Sequence, residues 1–259
     1  MESINKKLKY YELLMVCNNL DCVEYALPQG YHFEFYSGGN DIDSWIDIHI
    51  SSGEFTSKIM ARKYFYDFYS SFLDELDKRL VFIVSDKTNE KVATATLSKA
   101  DEFGYSCVID WFAISAPYQG KKLSKPLLTK IFSIAKSLNY DKILLHTQTH
   151  TFLAAKIYLD FGFEVFNADY NHMGYRILKT LINHPKLQGF TSCDESEMYD
   201  TQAINIVSNL DKMFSSYTYE IWNLNGRNDV YVRSDNTVYC YKFYDNGNRL
   251  VLTKGEIYE

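Results

Sequence analysis

The sequence predicts a mixed α/β (α+β) sheet domain followed by a small β-rich appendage, and three observations predict it. Residues 107–114 form a long run that is apolar on both faces, as a central strand requires, and a helix pattern follows at once. Strand and helix patterns then alternate up to about residue 180, the order expected of a covered sheet. After Asn183-His184-Pro185 the composition shifts to one helical segment and a series of alternating strand patterns. The expected organisation is a sheet domain over 1–182, including an N-terminal strand extension, and a helix plus β-meander over 183–259.

Along the chain, residues 10–17 read as a strand, and 31–36 as another after the Pro28-Gln29-Gly30 turn signal. Asp41 or Asp43 is placed to cap a helix carrying Trp45, Ile46 and Ile50, and 64–80 shows a second helical pattern. Residues 81–85 and 92–97 form a hairpin-like pair around turn residues 86–90. In the helix after Pro117, Leu123, Leu127, Ile131, Ala135 and Leu138 make one buried stripe. Residues 142–146 are a short strand, 151–161 a helix stopped by Gly162, and 163–166 and 174–178 read as closing strands. In the tail, 198–214 has helical periodicity, and 217–222, 229–233, 237–244 and 250–253 alternate as strands. Turn signals lie at Asn225-Gly226, Ser234-Asp235-Asn236 and Asn246-Gly247.

Composition narrows the function classes. With 27 Lys+Arg against 33 Asp+Glu in 259 residues, the net charge of −6 argues against a nucleic-acid partner. No signal-like start and no run approaching 18 apolar residues is found, so no membrane partner and a cytoplasmic location are expected. Cys17, Cys22, Cys107, Cys193 and Cys240 form no C-x-x-C pair, which disfavours a disulfide framework or a structural metal. His146 and His150 are four apart but follow a strand pattern rather than lie on a helix, and no metal is expected there. No Gly-rich nucleotide fingerprint is present.

The stretch from 108 to 163 carries the chemistry. The strand runs into Ser115-Ala116-Pro117-Tyr118 and then Gln119-Gly120-Lys121-Lys122-Leu123-Ser124 before the helix. A tight turn into a helix N-terminus presents unpaired N–H groups and the positive end of the dipole, which suits a pyrophosphate. Pro126 belongs in a first turn and so fixes the helix start near 122–124, with Lys121, Lys122 and Lys125 adding charge. Residues 151–163 read T-F-L-A-A-K-I-Y-L-D-F-G-F, with Tyr158 four residues before Gly162.

Taken together, these residues resemble the GNAT superfamily of acyl-CoA-dependent N-acyltransferases. That family has a Q/R-x-x-G-x-G/A loop after its central strand, and a later A-x-x-x-Y-x-x-x-G-F run that 154–163 matches. Gln119 fits the loop, but Lys122 stands where Gly is usual and Ser124 where Gly or Ala is usual. The resemblance implies a GNAT-like fold with a splayed central strand pair and acetyl-CoA as co-substrate. Backbone amides of Gln119, Gly120, Lys121, Lys122, Leu123 and Ser124 would hold its pyrophosphate. Main-chain groups near Phe112 and Ile114 would pair with pantetheine, and Tyr158 would protonate the leaving thiolate. Asp110, a carboxylate inside an apolar strand at the parity of Val108, Phe112 and Ile114, would be the general base. Tyr158 as a buried tyrosine tied to backbone, and Asp110 as an ion-pair partner, are the alternatives.

The implied activity is transfer of an acetyl group to a primary amine of a small molecule or peptide, with no nucleophilic cysteine. The alternative is a non-catalytic acyl-CoA-binding module with an interaction role for the C-terminal β-domain. The aromatic tail, with Tyr217, Tyr219, Trp222, Tyr231, Tyr239 and Tyr241, admits three roles: closing over the acceptor site, forming a homodimer face, or packing its own small core. Asp41, Asp43, Asp47 and Glu54 permit a cationic acceptor, and His146 and His150 are weaker candidates for acceptor contacts.

Overall fold

The computed structural model of the chain describes residues 4–21, 24–224, 227–244 and 249–258. The first half comprises strands β1 (Glu12–Cys17) and β2 (Tyr31–Phe35), helices α1 (Asp41–Ser52), α2 (Lys58–Tyr69) and α3 (Leu76–Arg79), then β3 (Leu80–Ser85), β4 (Lys91–Glu102) and β5 (Tyr105–Ile114). Next come α4 (Ser124–Ser137), β6 (Ile143–Gln148), α5 (Phe152–Phe161), β7 (Glu164–Phe166) and α6 (His172–Ile182). The C-terminal part holds α7 (Glu195–Met198), α8 (Thr201–Met213) and strands β8 (Thr218–Leu224), β9 (Arg227–Ser234), β10 (Thr237–Tyr244) and β11 (Arg249–Tyr258). Of the three tail turns, Asp235 adopts the left-handed φ of 52° that its turn requires. Asn225-Gly226 and Asn246-Gly247 lie outside the described residues.

Strands β1 to β7 form one sheet in the order β2-β3-β4-β5-β6-β1-β7, and β8 to β11 form a second, antiparallel sheet. Helices cover both faces of the larger sheet. Leu127, Ile131 and Ala135 of α4 and Ala155 and Leu159 of α5 pack with Ile83, Ala95 and Ile109 on one face. Trp45 and Ile46 of α1 and Phe65 and Tyr69 of α2 pack with Phe82 and Ala113 on the other. Alternation along β3, with Val81 and Ile83 on one side and Leu80 and Phe82 on the other, links the two cores.

Three local expectations are corrected. Residues 174–178 are not a closing strand but part of α6, whose buried Gly174, Tyr175, Ile177 and Leu178 recur at helical spacing. The place beside β6 is taken from the N-terminus: β1 pairs antiparallel with β6 on one edge and with β7 on the other. Tyr175 pins this arrangement, its hydroxyl accepting from Leu14 N–H at 3.0 Å and lying 2.8 Å from Leu14 O. The helix expected over 64–80 starts instead at Lys58, capped by Ser57, whose hydroxyl accepts from Met60 N–H at 3.2 Å, and it ends at Tyr69. Finally, Asp41 opens α1 without capping it. Its carboxylate accepts from Ser37 N–H at 2.8 Å and pairs with Lys91.

The C-terminal sheet has its own core, with Ile206 and Leu210 of α8 against Val230, Val232 and Phe243. It is also stitched to the rest by the N-terminal segment: Lys9 N–H donates to Met198 O and Asp200 N–H to Lys7 O, both at 2.8 Å. The Lys6 ammonium reaches Tyr219 O, and Thr56 Oγ1 donates to Glu220 at 3.1 Å.

The seating of β1 gives a test. A Cβ on Gly174 would lie 2.7 Å from both Leu13 Cδ2 and Tyr11 Cβ. Gly174→Ala should therefore destabilise by about 1–3 kcal/mol, through overpacking, although Ala is the better helix former. Chemical denaturation will read it, and a gain in stability would mean β1 does not pack against α6.

Candidate active site

The site begins where two parallel strands part. β5 and β6 pair only at Val108 with Leu144 and Ile109 with Leu145, although β5 continues to Ile114 and β6 to Gln148. From Asp110 onward the β6-side edge of β5 therefore has no strand beside it among the described residues. Its N–H and C=O groups are open for an extended ligand.

A bulge shapes that edge. Thr96 pairs with Asp110 and Thr94 with Ala113, so β5 holds one residue more than β4, and Trp111 takes a left-handed φ of 52°. The extra residue resets the alternation. Phe112 and Ile114 pack with Cys107 and Ile109 on the α4–α5 face, while Trp111 joins Ala113 on the α1–α2 face. Asp110 therefore does not share a face with Phe112 and Ile114, as uninterrupted parity predicts.

The loop after β5 is the segment expected to form a cradle. Gly120 has φ 75°, and a Cβ there would meet nothing within 4 Å. Lys122, in the place where glycine is usual, has φ 63°, a left-handed rather than helical conformation. The backbone thus keeps a glycine-like path at a cost of about 1–2 kcal/mol. α4 opens at Ser124 with no side chain capping it. The Gln119 amide turns back to Ala116 O at 3.3 Å, and its side chain donates to Ile114 O at 3.0 Å. Among the described residues, the amides of Gly120, Lys121, Lys122 and Leu123 have no protein acceptor. These donors at an uncapped N-terminus fit a pyrophosphate. Lys121 and Lys125 instead rest over the rings of Tyr118 and Tyr25, at 4.3 and 4.9 Å.

Two cavities meet here. One of about 280 Å³ runs from Gln119, Gly120 and Ser124 past Phe112 and Ile114 to Ala154. The other, of about 290 Å³, is lined by His49, Asp110, Trp111, His146 and Tyr158. Glu54, Phe112, Thr151 and Ala154 border both. Tyr158 is 6 % exposed. Burial first, then the Glu54 and Asp110 charges, push its pKa well above the usual 10, so its hydroxyl stays protonated. Among the described residues no protein group hydrogen-bonds that hydroxyl, so it is not tied to backbone.

Asp110 is unpaired. Burial lifts its carboxyl to about 6, with the Glu102 charge adding to the rise and Ser98 and His146 reducing it. Although Ser98 is close, neither Asp110 Oδ2 nor Ser98 Oγ has a partner in hydrogen-bond geometry. His146 is held by Glu12 at 3.0 Å and Glu102 at 3.1 Å. Burial opposes its charge, but the two carboxylates prevail and raise its pKa. His150 is spent elsewhere, with Nε2 2.8 Å from Leu8 O. Of the acidic residues in this region, Asp41, Asp43 and Asp47 pair with Lys91, Arg62 and Lys58, whereas Glu54 reaches the cavities. His49 and Phe68 were not singled out in the sequence. Their membership of the site depends on how α1 and α2 cross the sheet, which no local pattern reports. Cys107 is a buried packing residue, its thiol pushed up to about 12 by burial. Among the described residues no three His, Cys, Asp or Glu side chains converge as a metal site, and no helix is long and apolar enough to cross a membrane.

A parted parallel pair facing an uncapped helix is the arrangement that the family resemblance implies. Residues 43–163 match the acetyltransferase (GNAT) family profile, and no sequence match is found among curated proteins. Similar solved structures include a GCN5-related N-acetyltransferase from Sphaerobacter thermophilus, at 15 % identity and TM-score 0.51, covering 62 % of this chain and 50 % of that one. An acetyltransferase from Streptococcus agalactiae is also 15 % identical, with TM-score 0.45 over 54 % of this chain and 87 % of that one. The chain thus spans about half the length of the first of these. The similarity to the acetyltransferase (GNAT) family thus lies in residues 43–163 of this chain.

Two measurements test the site. Lys122→Gly should leave stability unchanged or raise Tm by up to about 3 °C, because released strain offsets the added chain entropy. Lys121→Gly, which lacks positive φ, should lower Tm; equal losses in both would show that Lys122 is not strained. For Asp110, a folded pKa raised from 3.8 to about 6 makes its ionisation destabilising as pH rises through that window. Asp110→Asn should therefore stabilise by about 1–3 kcal/mol at pH 8 and change little at pH 3.5. A gain independent of pH would contradict this assignment.

Proposed function

We propose that the protein transfers the acetyl group of acetyl-CoA to a primary amine by direct attack. The observation that carries this is the continuous path from the free amides at 120–123, along the open edge of β5, to a second cavity that Tyr158 lines. Pyrophosphate would sit on those amides, and pantetheine would pair with main-chain groups at Phe112 and Ile114. The acyl carbon would lie where the two cavities meet.

The reaction then needs three transfers. Asp110, with its proton affinity raised close to neutrality, takes a proton from the acceptor ammonium, through water where needed. The free amine attacks the thioester carbon, and main-chain N–H groups of the open edge stabilise the oxyanion. As the tetrahedral intermediate collapses, the C–S bond breaks, the Tyr158 hydroxyl donates its proton to the thiolate, and the second proton lost by the acylated nitrogen returns through water to Tyr158. Phe112 and Phe163, each with its ring 5.9 Å from that of Tyr158, hold the tyrosine edge-on at this point. No covalent enzyme intermediate forms, in keeping with the inert Cys107.

Calorimetric titration with acetyl-CoA should show binding that Gly120→Val weakens at least about tenfold, since the added side chain projects into space the protein leaves clear. Tyr158→Phe should keep that binding and lower kcat by about 10²–10⁴-fold in a thiol-release assay with an amine panel. Absence of acetyl-CoA binding to the unaltered protein would overturn the transfer reading.

A further inference from the structure

The acceptor side of the site has a chemistry that narrows its ligand. Its volume, about 290 Å³, stands at the lower edge of the ~300–1,000 Å³ usual for small-molecule pockets. Glu54 and Asp110 border it, and among its described lining residues there is no Lys or Arg. His146, at its wall, is already held by Glu12 and Glu102. A cationic amine is therefore favoured over an acid.

One side of the cavity is aromatic, while Thr147, Gln148 and Thr151 add polar lining elsewhere. The bulge turns Trp111 into the α1–α2 face, where its ring stacks on Phe55 at 5.4 Å and meets Phe68 edge-on at 5.7 Å. Phe112 adds a further aromatic wall. Such surfaces reward a planar apolar body and give nothing to a second ammonium that must lose its water.

His49 supplies the discriminating detail. It is 1 % exposed and lines this cavity, yet neither ring nitrogen has a hydrogen-bond partner. Burial lowers its pKa to about 3, so at neutral pH it offers one N–H donor and one lone pair. Trp45, 4.1 Å away, and Phe55, at 6.1 Å, fix the ring and give it no polar partner. Orphaned buried polar groups are rare in folded proteins, so this pair of unsatisfied atoms at a cavity wall marks where a ligand group belongs.

We propose that the acceptor is a small primary amine with a flat, apolar body carrying an uncharged hydroxyl or carbonyl group, which His49 reads. The proposal rests on the transfer reading for the fate of the amine, though not for its binding. Glu54, at the junction of the two cavities, would meet the ammonium. The body would lie along Trp111 and Phe68, and the neutral polar group would meet the imidazole. A polyamine would leave His49 unsatisfied.

The test is equilibrium binding by calorimetry to the full chain, with and without coenzyme A. The probes are tyramine, its meta-hydroxy isomer, phenethylamine and spermidine. At least one hydroxylated amine should bind about tenfold or more tighter than phenethylamine. In His49→Phe, which keeps a ring against Trp45 and Phe55, that ratio should fall to within about threefold. Tightest binding by spermidine, no binding by any aromatic amine, or no preference for the hydroxyl in the unaltered protein overturns the proposal. The last comparison needs no variant. An undiminished ratio in a folded His49→Phe protein overturns the role of His49. Thiol release from acetyl-CoA separates the two readings. The expected binding pattern without thiol release defeats transfer and leaves the pocket assignment standing. Release with spermidine or a lysine peptide but not with the aromatic amines defeats the acceptor class and leaves transfer standing.

Discussion

The site depends on a single failure of pairing. Parallel strands β5 and β6 hold register for two residue pairs and then diverge, and everything chemical lies in or beside the gap. Were the pairing to continue, the edge from Asp110 to Ile114 would be consumed by β6, and neither cavity would exist. The bulge at Trp111 works at the same place. It shortens β4 by one residue relative to β5 and increases local twist, which helps carry β5 away from β6. It also exchanges faces, sending Phe112 and Ile114 toward α5 and Trp111 toward α1 and α2. One inserted residue thus puts Trp111 and Phe112 on opposite faces of the sheet, with Phe112 bordering both cavities.

The termini are part of this design rather than additions to it. β1 closes the sheet between β6 and β7, so the chain start stabilises the strand that forms one side of the gap. The segment before it carries Ile4 to the wall of the cavity that runs from Gly120 to Ala154. Lys6, in the same segment, lies between the α1–α2 loop and the C-terminal sheet, where it reaches Gly53 O at 3.3 Å and Tyr219 O. Burial lowers its proton affinity, while Glu220 and Glu54 raise it. The residues 53–56 that carry Glu54 and Phe55 are therefore gripped from two sides, by Lys6 and by Thr56 with Glu220. That grip gives the C-terminal sheet a mechanical connection to the acceptor side, in addition to its own apolar core.

Much of this was legible in the sequence where one physical signal dominates. The apolar run into β5, the stripe of α4 and the first-turn Pro126 gave the strand, the turn and the helix start, because burial and proline geometry are local rules. The tail strands were legible for the same reason, since alternation and turn residues act over a few positions. What escaped was set at a distance. Residues 174–178 suit a strand in isolation, but the vacant place beside β6 was filled from the N-terminus, and the segment became a helix. The face of Asp110 was misjudged because a bulge leaves no clear mark in an apolar run. The glycine-like path at Lys122 was hidden because a lysine normally avoids it. His49 looked like one more residue on a helix until α1 was laid across the gap.

Several of these departures lie around the gap, and their place there is an argument about function. Trp111 and Lys122 hold left-handed backbones, α4 begins without a cap, and Asp110 Oδ2 and both nitrogens of His49 lack partners. Each costs on the order of 1–3 kcal/mol in an isolated fold. Elsewhere Tyr175 is bonded to β1 and His146 to two carboxylates, while Trp45 Nε1, Thr94 Oγ1 and Thr218 Oγ1 also lack partners. Strain and unsatisfied polar atoms gathered around one gap, in a protein whose net stability is only about 5–15 kcal/mol, are sustained where a ligand completes what the fold leaves open. The uncapped amides ask for an anion, the open edge of β5 for an extended amide, and His49 with Glu54 for a polar amine. The order of those requirements along the gap is the order in which a thioester donor and its acceptor would be laid end to end.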